Sequence, residues 1–400
     1  MKRYPTKIRV VLREHPVLIS SIVVVSIFLL RLSILGGFDP SCFILVSEEF
    51  VVEEELMHDL IVFKGGYDGQ FYYRYAVNPF SKDKWYVVDG IRENKGQHGI
   101  KVDAPKYRRG RLTYPLAAWT LALGQVPLIP YTLILVNLLG FILLIRIVKK
   151  LVLHFQASWH YYYFPLLIVG LYFSVARGLP DLLVCTLLAW SYLCFLKEQR
   201  FWFVIASTLL LLCKESSGIF LVPAYLILGL EGLTKTALLR QVREKAILFL
   251  PWIILLAWKL TLQSLYPQTK QGFTESFLKH FDLPFKGIYE SLSREFFIAN
   301  VLFMTWGLML IILCVKELIQ RGRTDFKNWM YWGVWINLLL ILCYAFPIYV
   351  DMWSFMRVLA ASHMLCFFFL LERQVRLPQW FVGYSTLIVM AVIIGVVFFP

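Results

Sequence analysis

The sequence predicts an all-α, polytopic membrane protein with about eleven transmembrane helices and a large first extracytoplasmic loop carrying short amphipathic helices. Three observations predict it. The 400 residues are 59% hydrophobic and 16% charged, with a mean hydropathy of +0.65. Apolar runs of roughly 17–22 residues recur, which at 1.5 Å per residue matches the hydrocarbon thickness of a bilayer. The charges between those runs alternate between cation-rich and cation-poor loops, as the positive-inside rule requires.

Taken in order, residues 1–16 carry Lys2, Arg3, Lys7, Arg9 and Arg13 ahead of the first apolar run, 17–35. No small-x-small cleavage pattern closes that run, so it reads as an uncleaved signal anchor with 1–16 in the cytoplasm. The chain then stays outside over 36–130. Within that region, apolar positions 50, 51, 57, 60 and 61 predict an amphipathic helix over 48–60 with an acidic face. The apolar stretch 112–124 is about 13 residues long, which suits an interfacial or re-entrant helix better than a span. A second span at 131–148 leads back to Arg146, Lys149 and Lys150. Further spans are placed at 161–177, 179–196, 201–213, 217–230, 246–264, 297–315, 330–347, 355–371 and 380–398.

This divides the chain into an N-terminal transmembrane module (17–264), a second outer loop (265–296) read as a candidate lid, and a C-terminal module (297–400). Lys197 and Arg200, Lys235 through Lys245, Lys316 through Lys327, and Arg373 and Arg376 fall in the inner loops. Trp202, Trp329, Trp332 and Trp380 stand at the inner ends as an expected aromatic belt. The expected setting is a plasma or inner membrane, with the N-terminus inside and the C-terminus outside.

Several function classes drop out. The net charge is +14, but the cations lie in short loops and form no basic stripe with interleaved aromatics, which excludes a nucleic-acid surface. Six of the seven cysteines sit in or beside apolar segments and only Cys42 lies in an outer loop, so neither a disulfide framework nor a zinc spacing is present. The histidines form no pair at metal spacing. Without a G-x-S-x-G, Walker A or dinucleotide fingerprint, nothing points to a nucleotide-activated donor.

The informative residues are charges in apolar surroundings, each costing about 2.5–3.5 kcal/mol at a helix centre on insertion scales. They are Asp181 after Gly178-Leu179-Pro180; Lys214 and Glu215 within the apolar run 201–230; Asp351 and Arg357 around 352–356; and Arg108, Arg109 and Arg111 ahead of 112. All fall on the outer side of the expected topology, as does Asp68 in Gly65-Gly66-Tyr67-Asp68-Gly69-Gln70-Phe71-Tyr72-Tyr73. Such one-sided clustering reads as an outward-facing site. Each residue also has a plainer reading. Asp68 and Asp181 suit helix caps, Lys214 and Glu215 suit each other, and Arg357 suits the outer interface.

Tyr67-Asp68-Gly69-Gln70-Phe71-Tyr72-Tyr73 with Ala76-Val77-Asn78-Pro79, then Asp103-Ala104-Pro105-Lys106-Tyr107-Arg108-Arg109-Gly110-Arg111 and Tyr114-Pro115, resembles bacterial membrane proteins linked to cell-surface glycopolymer formation. More distantly, the arrangement is similar to the GT-C superfamily of integral-membrane glycosyltransferases. The resemblance implies a GT-C-like fold, a polyprenyl-phosphate sugar as donor, and an acid of the first outer loop as catalytic base, which here is Asp68. The acceptor it implies is a glycan, lipid or protein. A single acid in place of the paired acids of some members leaves a divalent cation open, with Asp68 and Asp103 as its ligands. For substrate, the expected contacts are Tyr67, Gln70, Tyr72, Asp103, Tyr107, Arg108, Arg111, Asp181, Lys214, Glu215 and Arg357. Arginine forks and a lysine point charge suit a leaving phosphate, and tyrosines suit sugar. The alternatives are a lipid-linked glycan transporter or flippase, and a glycan ligase or polymerase using a lipid diphosphate.

Overall fold

The computed structural model describes residues 6–52, 60–80, 86–88, 91–93, 99–230, 246–266, 281–291, 297–321, 327–345 and 352–399. Asp351, most of 265–296 and the cations between Leu230 and Ala246 lie outside them. Helices dominate the rest. Five are long and apolar enough to cross a membrane: Pro16–Ile34, Val126–His154, Ile247–Leu265, Val301–Gln320 and Gln379–Phe398. Five of the other six expected spans are shorter apolar helices, namely Asp181–Leu196, Arg200–Cys213, Glu215–Gly229, Trp329–Cys343 and Ala360–Glu372.

The pattern of burial explains the excess of apolar residues. Pro16–Ile34 exposes Leu18, Ile22 and Leu29 while it buries Ser20, Phe28 and Arg31. A helix that turns leucines outward and a serine inward is suited to lipid rather than water. Pro16 stands at the first helical position, where its missing N–H has no partner to lose. At the other end of this helix, Arg31 is 1% exposed. Its guanidinium donates to the backbone carbonyls of Val396, Phe399 (3.1 Å) and Cys42 (3.3 Å), satisfying acceptors at the C-terminus of Gln379–Phe398. The first and last helices are thus stitched together.

At the centre lies Ala360–Glu372, whose residues are buried from Ala360 to Leu371. It packs against Trp329–Cys343, Phe297–Arg321 and Asp181–Leu196. A helix apolar all round and buried all round belongs to the interior of a bundle. Asp181–Leu196 lies in turn between Arg200–Cys213 and Ile129–His154.

Three expectations are corrected. The span expected at 161–177 is a 3-10 helix, Trp159–Leu167, followed by a short α-helix, Val169–Ala176. Pro165 inside the first piece has no N–H to give, which breaks a continuous ladder there. The amphipathic helix expected over 48–60 is not what Glu48–Val52 form. Glu48–Phe50 make one 3-10 turn, and Val51 then bridges antiparallel to Ile100, while 53–59 fall outside the described residues. Trp329 is not in an interfacial belt: it is 1% exposed and donates through Nε1 to the Phe220 carbonyl, whereas Trp202 and Trp380 are exposed.

The described residues between the first two long helices form a small cap. It includes the parallel pair Val46–Ser47 with Val62–Phe63, the hairpin Tyr86–Val88 with Ile91–Glu93, and the helices Gly69–Val77, Pro105–Arg109 and Thr113–Leu121. Every residue of Gly69–Val77 is buried. It packs against Thr113–Leu121 and Ile129–His154, which roots the cap in the bundle.

Candidate active site

Gly69–Val77 begins where it does because glycine is needed there. A Cβ on Gly69 would lie 2.2 Å from the Arg177 carbonyl oxygen and 2.7 Å from that of Ile44. That close approach sets Asp68 against the end of the bundle. Asp68 occupies the N-cap position, but its side chain caps nothing. Its carboxylate instead accepts from Arg108 Nη1 at 2.8 Å and from Arg357 Nη1 at 3.1 Å. The plain reading of Asp68 as a helix cap is therefore not met.

The pairing continues on both sides. Asp103 grips Arg108 with both oxygens, at 2.9 Å from Nε and 2.8 Å from Nη2, and the guanidinium lies 4.3 Å from the Phe71 ring centroid. Beyond Arg357, Asp181 Oδ2 stands 3.8 Å from Nε, and Oδ1 accepts from Lys214 at 2.5 Å. Asp181 opens the helix Asp181–Leu196 and Lys214 follows the end of Arg200–Cys213, its antiparallel neighbour, so both arrive at the same end. Lys214 and Glu215 do not pair with each other. Glu215 faces Lys259 at 3.5 Å and Arg111 Nε at 3.8 Å. Arg111 donates to the phenol oxygens of Tyr72 (2.8 Å) and Tyr107, which leaves each phenol its own hydrogen to donate. Tyr67 lies under Arg357, 5.0 Å from ring centroid to guanidinium carbon, with its hydroxyl 3.1 Å from Ser354.

Two of the residues read from the sequence turn elsewhere. Gln70 accepts from the Ser47 backbone N–H at 3.1 Å and fixes the cap's parallel strand pair. Arg109 donates to the Tyr266 hydroxyl and the Pro79 carbonyl, tying the cap to the end of Leu250–Leu265. One residue was missed. Lys259 lies within Leu250–Leu265, and a Cβ at Gly110 would sit 2.6 Å from its Nζ. The signal that singled out Lys214, a cation inside an apolar run, was present at Lys259 as well.

Electrostatics decides the protonation state of the central acid. Burial alone would push the Asp68 carboxyl up; the charges of Arg108, Arg357 and Arg111 outweigh it and hold it well below the usual carboxylate range. Burial pushes the phenols of Tyr72 and Tyr107 up against the opposing charge of Arg111, so both stay neutral at physiological pH. Asp68 and Asp103 do not make a metal pair, because the guanidinium of Arg108 fills the space they share. Among the described residues no group of three or more His, Cys, Asp or Glu side chains is placed to hold a metal ion.

A small cavity of about 30 Å³ opens beside this network. Its lining brings Asp181, Lys214 and Arg357 together with Phe220, Leu340 and Val358. Cations and apolar side chains around one space suit the anionic head of an amphiphile where it meets its apolar tail. No protein-family model, curated protein or solved structure matches the chain.

Proposed function

We propose that this chain is a GT-C-type integral-membrane glycosyltransferase, with about eleven membrane passages and its site on the extracytoplasmic face. It moves a sugar from a polyprenyl-phosphate donor to a cell-surface glycan, lipid or protein acceptor. One observation carries the reading: five cations and four carboxylates, namely Arg108, Arg111, Lys214, Lys259 and Arg357 with Asp68, Asp103, Asp181 and Glu215, alternate at one end of an apolar bundle beside an amphipathic cavity. Charge of that density in such surroundings needs an anionic ligand or a reaction to justify it.

The donor's phosphate sits among Arg108, Arg357 and Lys214, with its isoprenoid on the apolar side chains. Asp68 takes the proton of the acceptor hydroxyl as that oxygen attacks the anomeric carbon. The bond from that carbon to the phosphate oxygen breaks, and its electron pair leaves on the phosphate. Arginine forks and the Lys214 ammonium stabilise the charge that grows there. The products are the glycosylated acceptor, inverted at the anomeric centre, and polyprenyl monophosphate.

Sugar transfer from a polyprenyl-phosphate donor by the purified chain in lipid tests this directly. Asp68→Asn is expected to reduce it at least a hundredfold, and unchanged transfer in a well-folded variant removes Asp68 from the base role. The further cationic pole at Arg111 and Lys259 gives one alternative a foothold, a ligase or polymerase using a lipid diphosphate. Release of polyprenyl diphosphate rather than monophosphate after turnover selects that alternative. A transporter needs polar groups towards both faces, and the network here gathers at one end.

A further inference from the structure

Resting on the phosphate-donor reading above, we propose that Asp68 is an internal stand-in for the donor phosphate, holding Arg108 and Arg357 until the donor displaces it, so that donor binding is the event that releases the base.

The two arginines are held in place without Asp68. Arg108 is locked by the two-point grip of Asp103 and by the face of Phe71. Arg357 lies over Tyr67 and beside Asp181. Its Nε is buried and makes no hydrogen bond, which leaves one donor of the fork still to be satisfied. Asp68 is held differently. Although it stands at a helix start, its oxygens take no backbone N–H there, and the side-chain contacts it makes are to the two guanidiniums. Of the three groups, the carboxylate is the one that can swing away with the rest of the shell intact.

A phosphate is the better ligand for these forks, because it offers more acceptor oxygens and a tetrahedral spread. Charge balance also favours exchange. Among the described residues these ion pairs join five cations to four carboxylates, an excess of one positive charge that a phosphodiester anion would offset. While both guanidiniums hold it, Asp68 is a poor base, since each contact stabilises the carboxylate over its protonated form. Once the phosphate draws them off, its proton affinity rises at the moment an acceptor hydroxyl has something to attack. Transfer is then ordered, donor first.

Competition has a counterintuitive signature: removing the carboxylate strengthens anion binding. A site whose competent form is populated only in part shows an apparent affinity reduced by that fraction. The experiment uses the full chain in lipid nanodiscs and measures binding of radiolabelled polyprenyl monophosphate, with polyprenol as the uncharged control. Asp68→Asn is expected to bind the phosphate about tenfold more tightly than the wild type while losing sugar transfer. Asp103→Asn removes the same charge but loosens Arg108, so it is expected to bind no more tightly than the wild type. Equal or weaker binding by Asp68→Asn overturns the stand-in role and leaves the donor class untouched. Equal tightening by both variants also overturns it, since general charge then explains the gain. No phosphate-dependent binding by any of the three overturns both the stand-in role and the phosphate-donor reading. If Asp68→Asn does not fold, Asp68→Ser is read by the same criteria.

Discussion

Asp68 and its two arginines set the behaviour of the site at the scale of single residues. Because its carboxyl is held below the usual range, it stabilises the fold fully above its unfolded value near 3.9, and that contribution is lost as pH falls through the lower folded value. Thermal melts of the wild type should therefore show no loss from this group between about pH 5 and 8. Asp68→Asn removes the charge between Arg108 and Arg357 while Asp103 and Asp181 still face them, and should cost roughly 2 kcal/mol at neutral pH. The gap between the two proteins should narrow on acidification below about pH 4; a gap that stays constant to pH 3 would mean the charge on Asp68 adds nothing to the stability of the fold. Arg357→Lys should reduce transfer more than tenfold, since an ammonium cannot offer the phosphate the planar fork of a guanidinium. The membership of this site was legible in the sequence for a physical reason. Charges in apolar runs are costly enough to stand out, and Asp181, Lys214, Glu215 and Arg357 all stood out that way. Their pairing was not legible. Arg357 and Asp68 are 289 residues apart, and no spacing rule joins them. The tie of Gln70, an expected substrate contact, to the Ser47 backbone was not legible either, since it joins positions 23 residues apart.

One scale up, the short element Met352–Val358 presents Arg357, and its seating depends on Gly170 in Val169–Ala176. A Cβ at Gly170 would fall 2.2 Å from the Met356 carbonyl oxygen and 2.9 Å from the Ala360 Cβ. Backbone cannot yield as a side-chain tip does, so Gly170→Ala should push this element outward and shift Arg357 from Asp68. Polyprenyl phosphate binding and sugar transfer should both fall about tenfold or more, alongside a lower melting temperature of a few degrees. Wild-type binding by this variant would show that the two elements have slack. Helix ends among the long apolar elements were readable to within a few residues from hydropathy. The broken stretch around Pro165 and the cap were not. Pieces of two to five residues, such as Val46–Ser47 and Pro105–Arg109, are too short to establish a period, and their pairing with distant partners leaves no local trace.

For the whole molecule, the expected orientation can be tested with one set of labels. Six of the seven cysteines are buried and Cys343 is partly covered, so background reaction with a membrane-impermeant maleimide should be low. Lys64 in the cap and Lys197 at the far end of Asp181–Leu196 are both exposed. Lys64→Cys should label in intact cells and Lys197→Cys only after the membrane is opened; the reverse pattern would turn the site to the cytoplasm. The stitch made by Arg31 bears on how such a chain is assembled. Its acceptors at Val396 and Phe399 are 365 and 368 residues downstream, so during synthesis a cation enters the membrane with Pro16–Ile34 long before those two carbonyls exist. Until Gln379–Phe398 arrives, the Arg31 guanidinium has the Cys42 carbonyl but lacks two of its three acceptors in apolar surroundings. The seating of Pro16–Ile34 is then settled late, by a helix made hundreds of residues after it.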